Sequence, residues 1–141
     1  MRRNGGRVRD GTVATVLIVE DDWVVLELLR MIFQAEGLQV LVAPEPTAAV
    51  ALLKARPADV VVTDFFAGTS PETCRRSLDG LLSAAEGIPK LGVTGRRFDP
   101  GIPPSAFGVD DILAKPFDVD DAVERIRALL LRPRAGRRSG A

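Results

Sequence analysis

The sequence contains no histidine and a single cysteine, Cys74. Without imidazole there is no Ser-His-Asp triad and no histidine-ligated metal, and one thiol closes no intramolecular disulfide and builds no cysteine-rich zinc site. No charge-free apolar run approaches the roughly 18 to 20 residues that span a bilayer. The basic start Met1-Arg2-Arg3-Asn4-Gly5-Gly6 leads into no signal-type apolar core, so a cytoplasmic protein without a membrane span is expected. An excess of one charge is also lacking, since 19 Lys and Arg balance 19 Asp and Glu over 141 residues. The balance is uneven along the chain. Residues 1–11 set four arginines against Asp10, and residues 132–141 carry four arginines and no acid, which leaves the body between them at net −7. Gly- and Arg-rich ends without interleaved aromatics read as flexible, solvated tails rather than nucleic-acid arms. The expected organisation is therefore one domain over 12–131 between basic tails at 1–11 and 132–141.

What is present alternates in period. Val13 to Val19 is a nearly continuous β-branched run ending abruptly in Glu20-Asp21-Asp22, as a strand buried on both faces does. Val25, Leu28, Leu29, Ile32 and Phe33 then recur at helical spacing up to Gly37. The alternation continues with a strand at 38–43, a helix at 48–56, a strand at 58–63 that runs into Asp64, and a helix from a Ser70 N-cap to about Glu86. Strands at 89–94 and 109–114 follow, and Asp118 is placed to cap a last helix with Val119, Ala122, Val123, Ile126 and Leu130 inward. Five strand–helix alternations imply a parallel sheet covered on both faces. Between the fourth and fifth strands, residues 95–108 hold three prolines and three glycines. An interior proline costs a helix about 3 kcal/mol, so this fourth helix is expected to be missing or reduced to one turn.

In such a sheet the C-terminal strand ends face one crevice, where ligands bind. The first strand brings Glu20 and Asp21 there, the third Asp64, the fourth Thr94 and the fifth Lys115. Taken singly, these residues read equally well as helix caps, a strand residue and a solvated base. Together, three converging carboxylates repel one another and call for a cation. All-oxygen ligation with room for water suits Mg²⁺ or Mn²⁺. Asp22 is read as the cap of the first helix, Cys74 as a core residue, and Trp23 as packing more than as an exposed partner contact.

Val16-Leu17-Ile18-Val19-Glu20-Asp21-Asp22, Val60-Val61-Val62-Thr63-Asp64, Val93-Thr94-Gly95 and Lys115-Pro116-Phe117 stand in the order and spacing of a known family. On these motifs residues 13–131 resemble the receiver domain of bacterial two-component response regulators. The resemblance implies a flavodoxin-like (βα)5 doubly wound parallel sheet in strand order 2-1-3-4-5. It implies that Asp64 accepts a phosphoryl group from a sensor histidine kinase or a histidine phosphotransfer protein. Asp21 would ligate the metal, Glu20 would act largely through water, and the Phe66 backbone carbonyl would complete the protein ligands beside Asp64. Lys115 would pair with a phosphoryl oxygen and Thr94 would hydrogen-bond another. Phe66 and Arg96, each two residues beyond a site residue, are expected to flank the path of a hydrolytic water.

The sequence also departs from the family. Ile112 stands where receivers usually carry an aromatic residue, so a switch of the usual kind requires Phe98 or Phe107 to substitute. The short stretch after the last helix predicts a stand-alone receiver that binds a downstream target, relays phosphate or drains it from a kinase as a sink. The rival expectation is a constitutive protein-interaction module on the same scaffold. A hydrolytic enzyme is disfavoured because position 66 carries no acid to protonate a leaving group.

Overall fold

A computed structural model describes residues 13–132. The tails expected at 1–11 and 132–141 lie, apart from Arg132, outside the described residues. The chain runs β1 (Thr15–Val19), α1 (Trp23–Ala35), β2 (Gln39–Ala43), α2 (Pro46–Ala55), β3 (Val60–Asp64), α3 (Pro71–Ser77), α4 (Asp79–Ala84), β4 (Lys90–Thr94), a 3-10 turn (Pro104–Phe107), β5 (Asp111–Ala114) and α5 (Val119–Leu131). All five strands are parallel in the order 2-1-3-4-5. This is the doubly wound, flavodoxin-like arrangement expected from the alternation. Among the described residues no helix is long and apolar enough to cross a membrane.

β1 and β3 are central because their β-branched side chains are apolar on both faces. Val16, Ile18, Val60 and Val62 pack under α1 and α5, while Leu17, Val19 and Val61 face α2, α3 and α4. Register then fixes the site: Val19 lies beside Ala43 and Thr63, Asp64 beside Val93, and Thr94 beside Ala114. The last residues of the strands thus share one rim.

The helices depart in detail from the periodic reading. α1 buries Leu26, Leu29, Ile32 and Phe33, and leaves Leu28, assigned to the inner stripe, 42% exposed. In α5 Leu129 is buried and Val119 is turned to solvent; Asp118 occupies the N-cap position without a capping hydrogen bond. α2 starts two residues early because Glu45 caps the Thr47 and Ala48 amides and Pro46 takes the first turn. The single helix expected from Ser70 to Glu86 is two. Ser77 Oγ bonds back to the Cys74 carbonyl at 2.7 Å and also to the Phe65 carbonyl at 2.9 Å. Back-bonding of this kind bends a helix, and the axis breaks at Leu78. The apolar stripe Cys74, Leu78, Leu81 and Ala85 stays buried across the break.

The proline-rich connection forms only the 3-10 turn at Pro104–Phe107, as the composition implied. Phe107 stacks on Phe65 with centroids 4.9 Å apart, and Phe98 closes on Phe107 edge-on at 4.8 Å. Gly92 makes room for this cluster, since a Cβ there would come within 2.8 Å of the Phe65 ring. Ile112 packs partly buried against the same cluster. A cleft of about 650 Å³ opens between this segment and β5.

Candidate functional site

Glu20 follows β1 directly and its side chain is 2% exposed. Its Oε2 accepts a hydrogen bond from the Asp22 amide at 3.0 Å. Its Oε1 faces Lys115 Nζ at 3.1 Å as an ion pair, without a well-aligned hydrogen bond. Burial pushes the Glu20 carboxyl above its ordinary range; the Asp22 amide and Lys115 oppose this, and Asp64 adds to it. Asp22 caps α1 by accepting from the Val24 and Val25 amides, as expected. Asp21, just before it, is exposed.

Asp64 ends β3. Its Oδ2 accepts from the Phe66 amide at 2.9 Å, and its Oδ1 lies 3.4 Å from Lys115 Nζ. One carboxylate oxygen from each of Glu20, Asp21 and Asp64 falls within 4.8 Å of the others. Lys115 thus faces two of the three acids. Burial alone would lower its pKa, but Glu20 and Asp64 outweigh burial and raise it. Thr94, at the end of β4, is 3% exposed, and its Oγ1 accepts from the Arg96 amide at 3.0 Å.

The loop after Asp64 is held in an uncommon shape. Phe66 has φ 65, in the left-handed region that a bulky residue rarely enters. The Ala67 amide reaches back across it to the Phe65 carbonyl at 2.7 Å. Ser77 Oγ also lies within hydrogen-bond distance of the Phe65 and Ala67 carbonyls, which share its one proton with the Cys74 carbonyl, and the Phe66 carbonyl accepts from Arg96 Nη2 at 3.4 Å. Sequence reading did not single out Ser77, because a serine inside a helical stripe gives no signal of the loop it holds. It misjudged Trp23, which is 70% exposed beside an exposed Val24. As the first helical residue, Trp23 precedes the turn at which the inner face begins.

Four charged side chains therefore share one rim with three negative charges to one positive. The donors are all oxygens, and a buried Glu20 oxygen has a lone pair left over. This set fits a hard divalent cation and misfits soft metals. It also places a compact cation beside a half-buried carboxylate, an arrangement that suits an incoming anionic group.

The family model for the response regulator receiver domain matches residues 16–66, from β1 through the loop beyond Asp64. These residues belong to a response-regulator receiver domain. The receiver is 34% identical over 128 residues to the probable transcriptional regulatory protein TcrX of Mycobacterium tuberculosis, an alignment that covers 89% of this chain and 53% of TcrX. It spans about half the length of the curated relatives it matches. Among solved structures, a putative response regulator from Chloroflexus aurantiacus superposes with TM-score 0.68 at 26% identity, over 84% of this chain and 98% of that one. The receiver domain of the sensor histidine kinase PA1611 from Pseudomonas aeruginosa shares the fold with TM-score 0.64 at 17% identity, over 83% and 97% of the two chains. That protein holds a magnesium ion in its active-site cleft.

Proposed function

We propose that Asp64 accepts a phosphoryl group from the phosphohistidine of a sensor histidine kinase or a histidine phosphotransfer protein, with Mg²⁺ or Mn²⁺, and that this regulates partner binding or phosphate flow. The observation that carries the reading is the rim itself: Asp64 Oδ1 is 3.4 Å from Lys115 Nζ and within 4.8 Å of oxygens from Glu20 and Asp21. An Asp64 oxygen attacks phosphorus as the donor's N–P bond breaks, and the imidazole leaves with the electron pair. Lys115 pairs with a phosphoryl oxygen, and Thr94 donates to another after giving up its contact with Arg96. Glu20, Asp21, Asp64 and the Phe66 carbonyl are the groups that would hold the metal, whose chemistry is to neutralise charge on the transferred group and keep attacking and leaving atoms in line. The exposed Trp23 and Val24 at the lip of the site, with Met31 two turns along α1, support docking of an apolar partner surface beside Asp64. The protein is an acceptor that sheds its own phosphoryl group slowly, not a turnover enzyme, consistent with Phe66 in place of an acid.

A second reading rests on Ile112 and on the shortened 95–108 connection. In it the scaffold binds a partner constitutively, with the same affinity in wild type and Asp64→Asn. Intact-protein mass spectrometry after incubation with Mg²⁺ and acetyl phosphate separates the two. The expected result is one added phosphoryl group, absent in Asp64→Asn and with EDTA. No addition to a folded protein, with a cognate kinase failing as well, would favour the constitutive module.

A further inference from the structure

Arg96 makes two contacts that look unrelated in the sequence. Its amide donates to Thr94 Oγ1 at 3.0 Å, and its guanidinium crosses from the loop after β4 to the loop after β3 to donate to the Phe66 carbonyl at 3.4 Å. We infer that Arg96 is a positioning residue that latches the resting receiver by occupying the two groups, Thr94 Oγ1 and the Phe66 carbonyl, which metal binding and phosphorylation must take over. The inference rests on the receiver reading above.

The physical argument is competition at each contact. A carbonyl lone pair aimed at a guanidinium N–H is partly spent, and a divalent ion at that oxygen would lie against the Arg96 charge. Like charges at such a distance repel strongly where water is partly excluded. Besides the Phe66 carbonyl, the guanidinium also bears on the Cys74 thiol, where it opposes the rise in pKa that burial causes. At Thr94 the hydroxyl oxygen is held by an amide two residues on, which fixes the rotamer of a side chain only 3% exposed. The hydroxyl proton is free to donate, so what the amide holds is the rotamer: swinging the side chain over to a phosphoryl oxygen gives up the contact. Arg96 is itself exposed, so water satisfies its amide and guanidinium after release, and the latch opens at little cost. Arg97 supplies the internal control: it is exposed and carries the same charge one residue on.

Isothermal titration of Mg²⁺ into the full chain tests this without reference to phosphorylation. Arg96→Ala is expected to bind Mg²⁺ about three- to tenfold more tightly than wild type, the weight of one net hydrogen bond. Arg97→Ala is expected to change the affinity by less than about twofold, as a screened surface charge does. Equal affinities for wild type and Arg96→Ala would overturn the latch, and so would equal gains in Arg96→Ala and Arg97→Ala, which would mean simple charge removal. As a second readout, the Arg96 amide is expected to lose hydrogen-exchange protection when Mg²⁺ and beryllofluoride, a phosphoryl mimic, are added; unchanged protection would overturn it. A wild type that shows no Mg²⁺ binding dependent on Asp64 would instead bring down the receiver reading, and the latch with it.

Discussion

Acidic residues stand at both ends of the parallel sheet, and the two ends treat them differently. At the N-terminal end, Asp59 precedes β3 and Asp110 precedes β5. Asp59 Oδ2 accepts the first amide of β1, from Thr15, at 2.8 Å, and the Asp59 amide donates to the Thr15 carbonyl at 2.8 Å. Asp110 repeats this with Lys90 at the start of β4, at 2.8 and 2.9 Å. Each carboxylate satisfies a strand-end amide and fixes a neighbour's register. At the C-terminal end Glu20, Asp21 and Asp64 crowd within 4.8 Å around a single lysine. The lower aspartates serve the fold, whereas the upper carboxylates are held together against their own repulsion.

That contrast breaks if the two ends fail to separate function from stability. Asp64→Asn is expected to reduce phosphoryl uptake by more than about 100-fold, since an amide is no nucleophile here. In metal-free buffer its Tm should equal or exceed that of wild type, because one repelling charge is gone. Asp110→Ala is expected to retain uptake while losing about 1–2 kcal/mol, or roughly 3–8 °C in Tm, from its unsatisfied strand-end amide. Thermal melts beside the mass-spectrometric assay check both. A Tm drop in Asp64→Asn as large as that in Asp110→Ala would erase the distinction.

Glu20 sharpens the comparison through pH. Its carboxyl is raised above the ordinary 4.5, first by burial, so the folded state binds its proton more tightly than the unfolded chain does. The protonated side chain therefore contributes stability that is complete below pH 4.5 and is lost as pH rises through the raised value. In EDTA, wild type should lose stability over that window relative to Glu20→Gln, whose profile should be flatter. Mg²⁺ should restore wild type above the window by mass action, and restore Glu20→Gln less. Melts across pH 4–8 with EDTA or Mg²⁺ read this directly, and parallel profiles for the two proteins would show that Glu20 is not held at a cost.

The sequence pattern carried the upper end better than the lower. Charges that interrupt β-branched runs, as Glu20 and Asp64 do, announce strand ends, and parallel topology then brings them together. The Asp22 and Ser70 caps were equally plain because capping is local. Asp59 and Asp110 were not legible, since their partners lie 44 and 20 residues away and no period encodes that pairing. The same holds for Ser77, for the reach of Arg96, and for the Phe65, Phe98 and Phe107 cluster. Helical period gave the existence of α1 and α5 but not their rotation. A turn of a fraction of a residue decides whether Leu26 or Leu28, and Leu129 or Val119, meets the sheet.

Backbone strain falls on the same side of the comparison. Among the described residues Phe66 is the one non-glycine with a positive φ, and it sits two residues beyond Asp64. A bulky side chain in this region costs on the order of 1–2 kcal/mol, while the partly buried phenyl ring gives back packing against the cluster around Phe65. Asn enters the left-handed region more readily than Phe. Phe66→Asn should therefore relieve strain and lose packing in similar amounts, leaving the stability within about 1 kcal/mol of wild type. Its kinetic effect should be clearer. The ring and Arg96 are expected to flank the approach to Asp64, so replacing the ring with a small polar group should admit water and shorten the life of the acyl phosphate several-fold. A phosphate-release assay on the phosphorylated protein measures that decay. Unchanged or slower decay would remove the Phe66 ring from the path of the hydrolytic water.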